Sequence, residues 1–200
     1  MQSDHDVFVR IGKDHAMPPA PILVVSGPAG VGKSTTSALV AAAFPSSVHL
    51  QADVFTYAIM QGRVPSWLPE AAQQHEVVGA ALAVAAMQYA EGGYTVVLDG
   101  HLFPDGVSGL AAGCAGRGIA VHYAVLHAEL ATCLARANGR GDDWGREPTP
   151  LAELQGSMAD LHARFAGVDE AHVIDATVTP DEVAAAVLTA CRSGRLLVGS

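Results

Sequence analysis

Short apolar runs rich in β-branched residues alternate with longer polar and apolar segments along this chain. The runs are ILVVS (22–26), VHLQA (48–52), TVVLD (95–99), IAVHYAVL (119–126) and AHVIDA (171–176). Continuous apolar runs of this length are typical of strands that are buried on both faces, as in a parallel sheet covered by helices. The pattern therefore predicts an α/β fold with a five-stranded parallel sheet and helices on both faces.

Helical segments are predicted between these runs. They lie at about 33–43, 69–91, 105–116, 128–138, 150–165 and 180–192. The last begins TPDEV, in which Thr179 is placed to cap the helix and Pro180 to open its first turn. A long irregular segment, ANGRGDDWGREPTP (137–150), separates two of the helices. A loop of this length in a compact domain is usually functional or disordered.

Length and composition favour one domain. Two hundred residues, half of them hydrophobic, suffice for one sizeable core, so we expect a single domain at 21–200. Residues 1–20 contain acids and a proline cluster rather than the apolar run of a signal peptide, so we expect them to form an N-terminal arm. A net charge of -9 disfavours nucleic acid as the partner. The most apolar helical stretch, 77–87, suits a buried helix and is far shorter than the roughly 20 residues that span a bilayer, so no membrane partner is expected.

The cysteines fit a cytoplasmic location. Cys114, Cys133 and Cys191 are far apart and lack C-x-x-C spacing, which disfavours both a disulfide framework and a zinc site. The nine histidines include no pair at i,i+3 or i,i+4, so a metal site on one helix is not expected either.

The segment SGPAGVGKSTT (26–36) matches G-x-x-x-x-G-K-[ST] in full, between a predicted strand and a predicted helix. Its backbone N–H groups are expected to cradle phosphate at a helix N-terminus. Lys33, one of two lysines in the chain, would reach the β- and γ-phosphates, Ser34 would ligate Mg²⁺ and Thr35 would bond the α-phosphate. The alternative is a flexible glycine turn. The predicted nucleotide contacts are Gly27, Pro28, Ala29, Gly30, Val31, Gly32, Lys33, Ser34 and Thr35.

Two acids follow predicted strands. Asp99 ends TVVLD, where an acid opposite the phosphate loop can hold Mg²⁺ or its water, or else cap the following turn. Asp53 ends VHLQAD at the sheet edge where α/β folds bind ligands. There Asp53 is placed to accept a proton from an acceptor hydroxyl, or to cap a helix that starts at Val54. An N-K-x-D guanine motif is absent from the sequence, which disfavours a GTPase.

The acceptor pocket is predicted beside these acids. Phe55, Tyr57, Met60 and Trp67 follow Asp53 and either wall the pocket or belong to the core. His101, two residues after Asp99, is placed to point into the same cleft or to lie on a surface turn.

Three arginines cluster around the long segment. Arg136, Arg140 and Arg146 are placed to close over the β- and γ-phosphates as a lid at about 137–150. The alternative is that these are solvated surface arginines beside Asp142 and Asp143.

These motifs together resemble the small P-loop kinases, the nucleoside-monophosphate-kinase-like group that includes gluconate and shikimate kinases and chloramphenicol phosphotransferase. The similarity covers about residues 20–192: GPAGVGKST, a strand ending in QAD, VVLDG, and an arginine-bearing lid. The resemblance implies a three-layer P-loop NTP hydrolase fold with strand order 2-3-1-4-5. It also implies ATP with Mg²⁺ as phosphoryl donor and, by analogy with chloramphenicol phosphotransferase, Asp53 as the base.

The expected activity is transfer of the γ-phosphoryl group of ATP to a small-molecule hydroxyl, in an antibiotic or another metabolite. Arg63 is the only cationic residue between the second and third predicted strands, which disfavours a phosphorylated acceptor. A nucleoside or nucleotide kinase and a nucleotide-dependent regulatory ATPase remain alternatives. The sequence identifies neither the acceptor nor the oligomeric state.

Overall fold

The computed structural model describes residues 17–138 and 151–199. Most of the predicted N-terminal arm lies outside the described residues. Residues 139–150 of the predicted lid (137–150), which include Arg140 and Arg146, also lie outside them.

Five parallel strands form one sheet in the order β2-β3-β1-β4-β5. This confirms the predicted fold class and strand order. The strands are β1 (Ile22–Ser26), β2 (Ser47–Gln51), β3 (Thr95–Asp99), β4 (Val121–His127) and β5 (Val173–Asp175). Because parallel strands end at the same edge, the residues that follow β1, β2 and β3 are brought together.

The six predicted helices are present, each within a few residues of its expected bounds. They are α1 (Lys33–Ala42), α3 (Ala72–Glu91), α4 (Pro104–Cys114), α5 (Leu130–Asn138), α6 (Leu151–Arg164) and α7 (Pro180–Arg192). A 3₁₀ turn, Pro69–Ala71, precedes α3. Thr179 caps α7 as predicted, because its hydroxyl accepts from the N–H of Glu182 while the Glu182 carboxylate accepts from the Thr179 N–H.

A seventh helix, α2 (Ala52–Tyr57), lies where the sequence offered a helix starting at Val54 only as the alternative for Asp53. It begins at Ala52 with Gln51 as its N-cap, so the alternative in which Asp53 caps a helix starting at Val54 is wrong. Asp53 lies instead in the first turn of α2, where a negative charge favours the positive end of the helix.

The two faces of the sheet bury separate apolar clusters. Leu23, Val25 and Val97 point toward the side of α1 and α7. Their neighbours Val24 and Leu98 point toward the side of α3 and α4. Alternation along β3 therefore directs Asp99 to the α1 side, which is the side of the loop that follows β1. Within the described residues, no helix is long and apolar enough to cross a membrane.

Candidate active site

The loop between β1 and α1 packs closely against β4 and α5. A Cβ atom at Gly27 would collide with the carbonyl oxygen of Leu126, and one at Gly30 with that of Cys133. Gly30 also has φ +76°, a left-handed conformation that L side chains rarely adopt. Glycine is therefore required at Gly30 by both backbone conformation and space.

Replacing Gly30 with alanine is expected to lower the free energy of unfolding, because backbone strain costs about 1–3 kcal/mol and the clash with Cys133 adds to it. Gly116 is a matched control, since it has φ +75° but its Cβ would meet nothing within 4 Å. Denaturant unfolding should show a larger loss for Gly30→Ala than for Gly116→Ala. Equal losses would mean that the Cys133 backbone yields freely to the added methyl.

Lys33 is the first residue of α1, and its ammonium lies against the loop. Its Nζ donates to the carbonyl oxygens of Gly27 (3.1 Å) and Pro28 (3.0 Å). These bonds hold the positive charge at the mouth of the loop, where phosphate oxygens would be bound in the predicted role.

Asp99 is buried at the end of β3 and contacts His49, a residue that the sequence reasoning missed. The Asp99 Oδ2 atom lies 2.6 Å from Nε2 of His49 on β2. The carboxylate thus contacts a histidine ring rather than a backbone N–H of the following turn, which does not favour the turn-capping alternative. Because Asp99 is paired in register with Val25, it lies beside the strand that leads into the phosphate loop.

A hydrogen-bond network fixes the segment after β3. The Ser26 hydroxyl accepts from the N–H of Leu102 (3.0 Å) and donates to the carbonyl oxygen of Gly100 (2.9 Å). The Tyr123 hydroxyl donates to the carbonyl oxygen of Leu102 (2.8 Å). His101 therefore lies between Gly100 and Leu102, which are both hydrogen-bonded to Ser26 at the end of β1.

The ring of His101 contacts the phosphate loop itself, with Nδ1 3.0 Å from the carbonyl oxygen of Gly27. Desolvation by the surrounding protein atoms, reinforced by the positive charges of Lys33 and Arg164, lowers the pKa of His101 to about 3, although part of the side chain faces solvent. The ring is thus neutral near pH 7. Because a carbonyl only accepts, Nδ1 carries the hydrogen and Nε2 keeps its lone pair.

The start of α2 packs directly on this segment. A Cβ at Gly100 would lie 2.6 Å from the Cβ of Ala52, so the close approach depends on glycine. Asp53, the next residue after Ala52, is exposed in the first turn of α2. The ends of β1, β2 and β3 thus bring Lys33, Asp53, Asp99 and His101 to one edge of the sheet.

The predicted pocket residues differ in burial and contacts. Phe55 is partly buried against the core on the α3 side, and Tyr57 lies under the Arg63 guanidinium, 5.0 Å from ring centre to Cζ. Met60 and Trp67 are exposed. Phe55 therefore fits the core alternative, whereas Tyr57 and Trp67 remain predicted pocket residues.

Two arginines face the site from the other side. Arg136 donates from Nη1 to the carbonyl oxygens of Val31 (3.2 Å) and Ala176 (3.0 Å), which places it beside the loop and beside the end of β5. Arg164, at the end of α6, holds its guanidinium carbon 3.7 Å from the Phe103 ring centre. Arg140 and Arg146 lie outside the described residues, so the predicted cluster of three is described only for Arg136.

A cavity of about 400 Å³ opens next to the phosphate loop. It is lined by the loop, by the first turn of α1, by Arg136 and by the segment from Ala176 to Val183. The volume lies in the range of small-molecule sites.

The described residues include no group of three or more His, Cys, Asp or Glu side chains that could hold a metal. A Mg²⁺ ion would instead depend on Ser34, Asp99 and the phosphates of the nucleotide. Hydroxyl, carboxylate and phosphate oxygens are the hard ligands that Mg²⁺ prefers, so the donor set fits this ion.

Comparisons with known proteins agree with this architecture. A family model described as an AAA domain matches residues 22–165. A search among curated protein sequences finds no significant match. Many solved structures share the fold.

Three solved structures illustrate the similarity. A gluconokinase from Sinorhizobium meliloti 1021 has 18% identity and a TM-score of 0.57, covering 90% of this chain and 94% of that one. The tunicamycin resistance protein of Deinococcus radiodurans has 21% identity and a TM-score of 0.54, with coverages of 90% and 99%. An APS kinase from Mycobacterium tuberculosis has 17% identity and a TM-score of 0.61, with coverages of 88% and 99%. The predicted resemblance to small P-loop kinases is thus confirmed in the fold.

Proposed function

The chain belongs to the AAA-domain family whose model matches residues 22–165, and from that premise we propose that it is an ATP-dependent small-molecule kinase. The reaction would move the γ-phosphoryl group of ATP to a hydroxyl of the acceptor. The observation that carries this proposal is the meeting of a complete phosphate loop with Asp53, Asp99 and His101 at one sheet edge.

The nucleotide would bind along the loop with its base in the adjoining 400 Å³ cavity. Backbone N–H groups of the loop and the Lys33 ammonium suit the phosphates, and the apolar atoms of Val178, Pro180 and Val183 suit a purine face. Ser34 and Asp99 would hold Mg²⁺, which when bound neutralises charge on the β- and γ-phosphate oxygens. His49 would keep the Asp99 carboxylate oriented.

In the proposed transfer, the acceptor hydroxyl oxygen forms a bond to the γ-phosphorus while the bond to the β,γ-bridging oxygen breaks and ADP leaves. The hydroxyl proton passes to the carboxylate of Asp53. Lys33 stabilises the charge on the transferring group, and the lid arginines Arg140 and Arg146 would add to it. Phosphoryl transfer requires little covalent chemistry from the protein. Positioning of the reactants and stabilisation of charge therefore account for most of the catalysis.

Several features bear on the acceptor class. Arg63 lies on the Tyr57 ring, and it is the only cationic residue between β2 and β3, which disfavours an acceptor phosphate there. A hydroxylated antibiotic or metabolite is therefore proposed ahead of a nucleotide. A tunicamycin resistance protein shares the fold, so a resistance role is one form of this proposal. The three cysteines are free thiols, in keeping with the expected cytoplasmic location.

Coupled ADP release during a screen of hydroxylated antibiotics, sugars, nucleosides and other metabolites tests the proposal. A kinase forms ADP in response to a small hydroxyl compound, and a phosphorylated product of matching mass should appear. A nucleoside as the best acceptor would favour the nucleoside-kinase alternative. Stimulation by a macromolecule alone would overturn the kinase proposal in favour of a regulatory ATPase.

Arg140→Ala and Arg146→Ala are each expected to lower kcat more than they weaken ADP binding. A guanidinium that contacts the transferring group stabilises the transition state more than the ground state. Steady-state kinetics and ADP titration of both variants measure the two effects. Arg195→Ala is a suitable control, because Arg195 lies near the C-terminus beyond α7. Normal turnover in both lid variants would mean that 137–150 is an ordinary surface loop rather than a lid.

A further inference from the structure

A second cavity, of about 360 Å³, lies between α3 and α4 on the side of the sheet away from α1. We call it the α3–α4 cavity. It extends from His75 to Met87 along α3, which is about 18 Å at the 1.5 Å rise of a helical residue. Its ionisable lining residues, His75 and Glu76, lie together near the start of α3, and most of the remaining wall is apolar or glycine.

Glycines keep this space open. Gly106, Gly109 and Gly113 follow one another at spacings of three and four residues, so they share one face of α4, and all three line the cavity. A Cβ at Gly106 or Gly109, or at Gly79 on α3, would meet nothing within 4 Å. Alanine would therefore fit at these positions and would favour the helix more than glycine does. These glycines are exposed at the mouth of the cavity, and they leave it open at some cost in helix stability relative to alanine.

One end of the cavity lies close to the candidate active site. Leu98 and Leu102 line its inner end, and they directly flank the segment that carries Asp99 and His101. The Leu102 side chain reaches Gly100, whose added Cβ would lie 3.0 Å from its Cδ1. Gly100 also packs on Ala52, the residue before Asp53, so the inner end of the cavity lies close to the residue proposed to take the acceptor proton.

We propose that the α3–α4 cavity binds an uncharged apolar arm of the acceptor, which makes the acceptor an amphiphilic alcohol with an alkyl chain beside its reactive hydroxyl. This inference rests on the proposed kinase function for the identity of the occupant. The mostly apolar wall favours an alkyl chain, and the Glu76 carboxylate at one end disfavours an anionic one. A concave space of this volume suits a small molecule, whereas most protein partners cover broader and flatter surfaces.

Calorimetric titration of the nucleotide-free protein with 1-alkanols from hexanol to nonanol tests the cavity directly. Each added methylene should tighten binding roughly three- to fourfold, as expected for transfer of one CH₂ group out of water. Affinity that does not change with chain length would overturn the proposal.

Gly109→Leu should fill the cavity from α4 and weaken nonanol binding by at least about tenfold, and Gly79→Leu should do the same from α3. Gly156→Leu is the matched control, because Gly156 is also a helical glycine whose Cβ would meet nothing within 4 Å, but it lies on α6 outside the cavity. This control should bind nonanol as the wild type does. Denaturant unfolding of each variant shows that it is folded.

Unchanged nonanol binding in the folded Gly109→Leu and Gly79→Leu proteins would overturn the proposal. If those variants also lose a dimer seen by sedimentation for the wild type, the cavity serves a second copy of the chain instead. Lys33→Ala should bind nonanol normally, because the ammonium lies at the phosphate loop. The alkanol titration therefore tests the cavity, and the ADP-release screen tests the kinase function. Either experiment can fail without changing the conclusion drawn from the other.

Discussion

Replacing Lys33 with alanine is expected to lower the turnover of phosphoryl transfer by roughly 10³-fold, which in practice abolishes activity. The ammonium already lies at the mouth of the phosphate loop, where it donates to the carbonyl oxygens of Gly27 and Pro28. With a nucleotide bound, the same group would face the β- and γ-phosphates, whose negative charge shifts toward the bridging oxygen as transfer proceeds. Alanine offers no charge to replace it.

The fold should survive this change. Lys33 is partly exposed at the start of α1, and alanine is the best helix former, so the free energy of unfolding should change little. Lys33→Gln keeps most of the side-chain length without the charge and should be as inactive as Lys33→Ala. Coupled ADP release and denaturant unfolding together measure the two quantities. Near-wild-type turnover in either variant would show that the loop does not act as a phosphate clamp.

The features that the sequence predicts best depend on neighbours along the chain. The motif that includes Gly27, Gly30, Gly32 and Lys33 contains its own turn residues, its own helix start and a preceding apolar run, so the strand, loop and helix follow from local chemistry. The same holds for α7, whose capping residues Thr179 and Glu182 are three positions apart. Strand order came from resemblance rather than from these local patterns.

Features that depend on the register of distant strands were missed. His49 contacts Asp99, 50 residues away in sequence, because β2 and β3 are paired in parallel. No local sequence pattern indicates that pairing. The six-residue helix α2 is too short to show a helical period, and it is placed by the contact between Ala52 and Gly100. Likewise, Arg136 was grouped with the lid by its proximity in sequence, whereas its guanidinium bonds link the phosphate loop to the end of β5.

The prediction for residues 77–87 was also limited by what the local sequence cannot show. The sequence favoured a buried helix at 77–87, yet Val77 and Val84 are exposed and only Leu82 and Ala86 among these residues are buried. Val77 and Val84 are not among the residues that line the cavity, so they lie on a face of α3 that no other element of the described residues covers. Apolar composition alone therefore could not show which face of this helix is buried.

Asp53→Asn is expected to lower kcat by about 10²–10⁴-fold while leaving ATP affinity little altered, as removal of a general base does. The amide keeps the shape of the side chain but cannot take the proton from the acceptor hydroxyl. Asp53 is suited to that role because it is exposed in the first turn of α2, directly after the residue that packs on Gly100. Rates at saturating acceptor and an independent ATP titration separate the two effects.

The change also removes a negative charge from a helix N-terminus, which costs about 0.3–1 kcal/mol of stability at an exposed position. Asp105→Asn is the matched control, because Asp105 is likewise an exposed acid in the first turn of its helix, α4. Both variants should lose a similar small amount of stability, whereas only Asp53→Asn should lose the large factor in kcat. A parallel loss of ATP binding would make Asp53 a ligand of the metal and nucleotide. Unchanged kcat would mean that Asp53 does not take the proton.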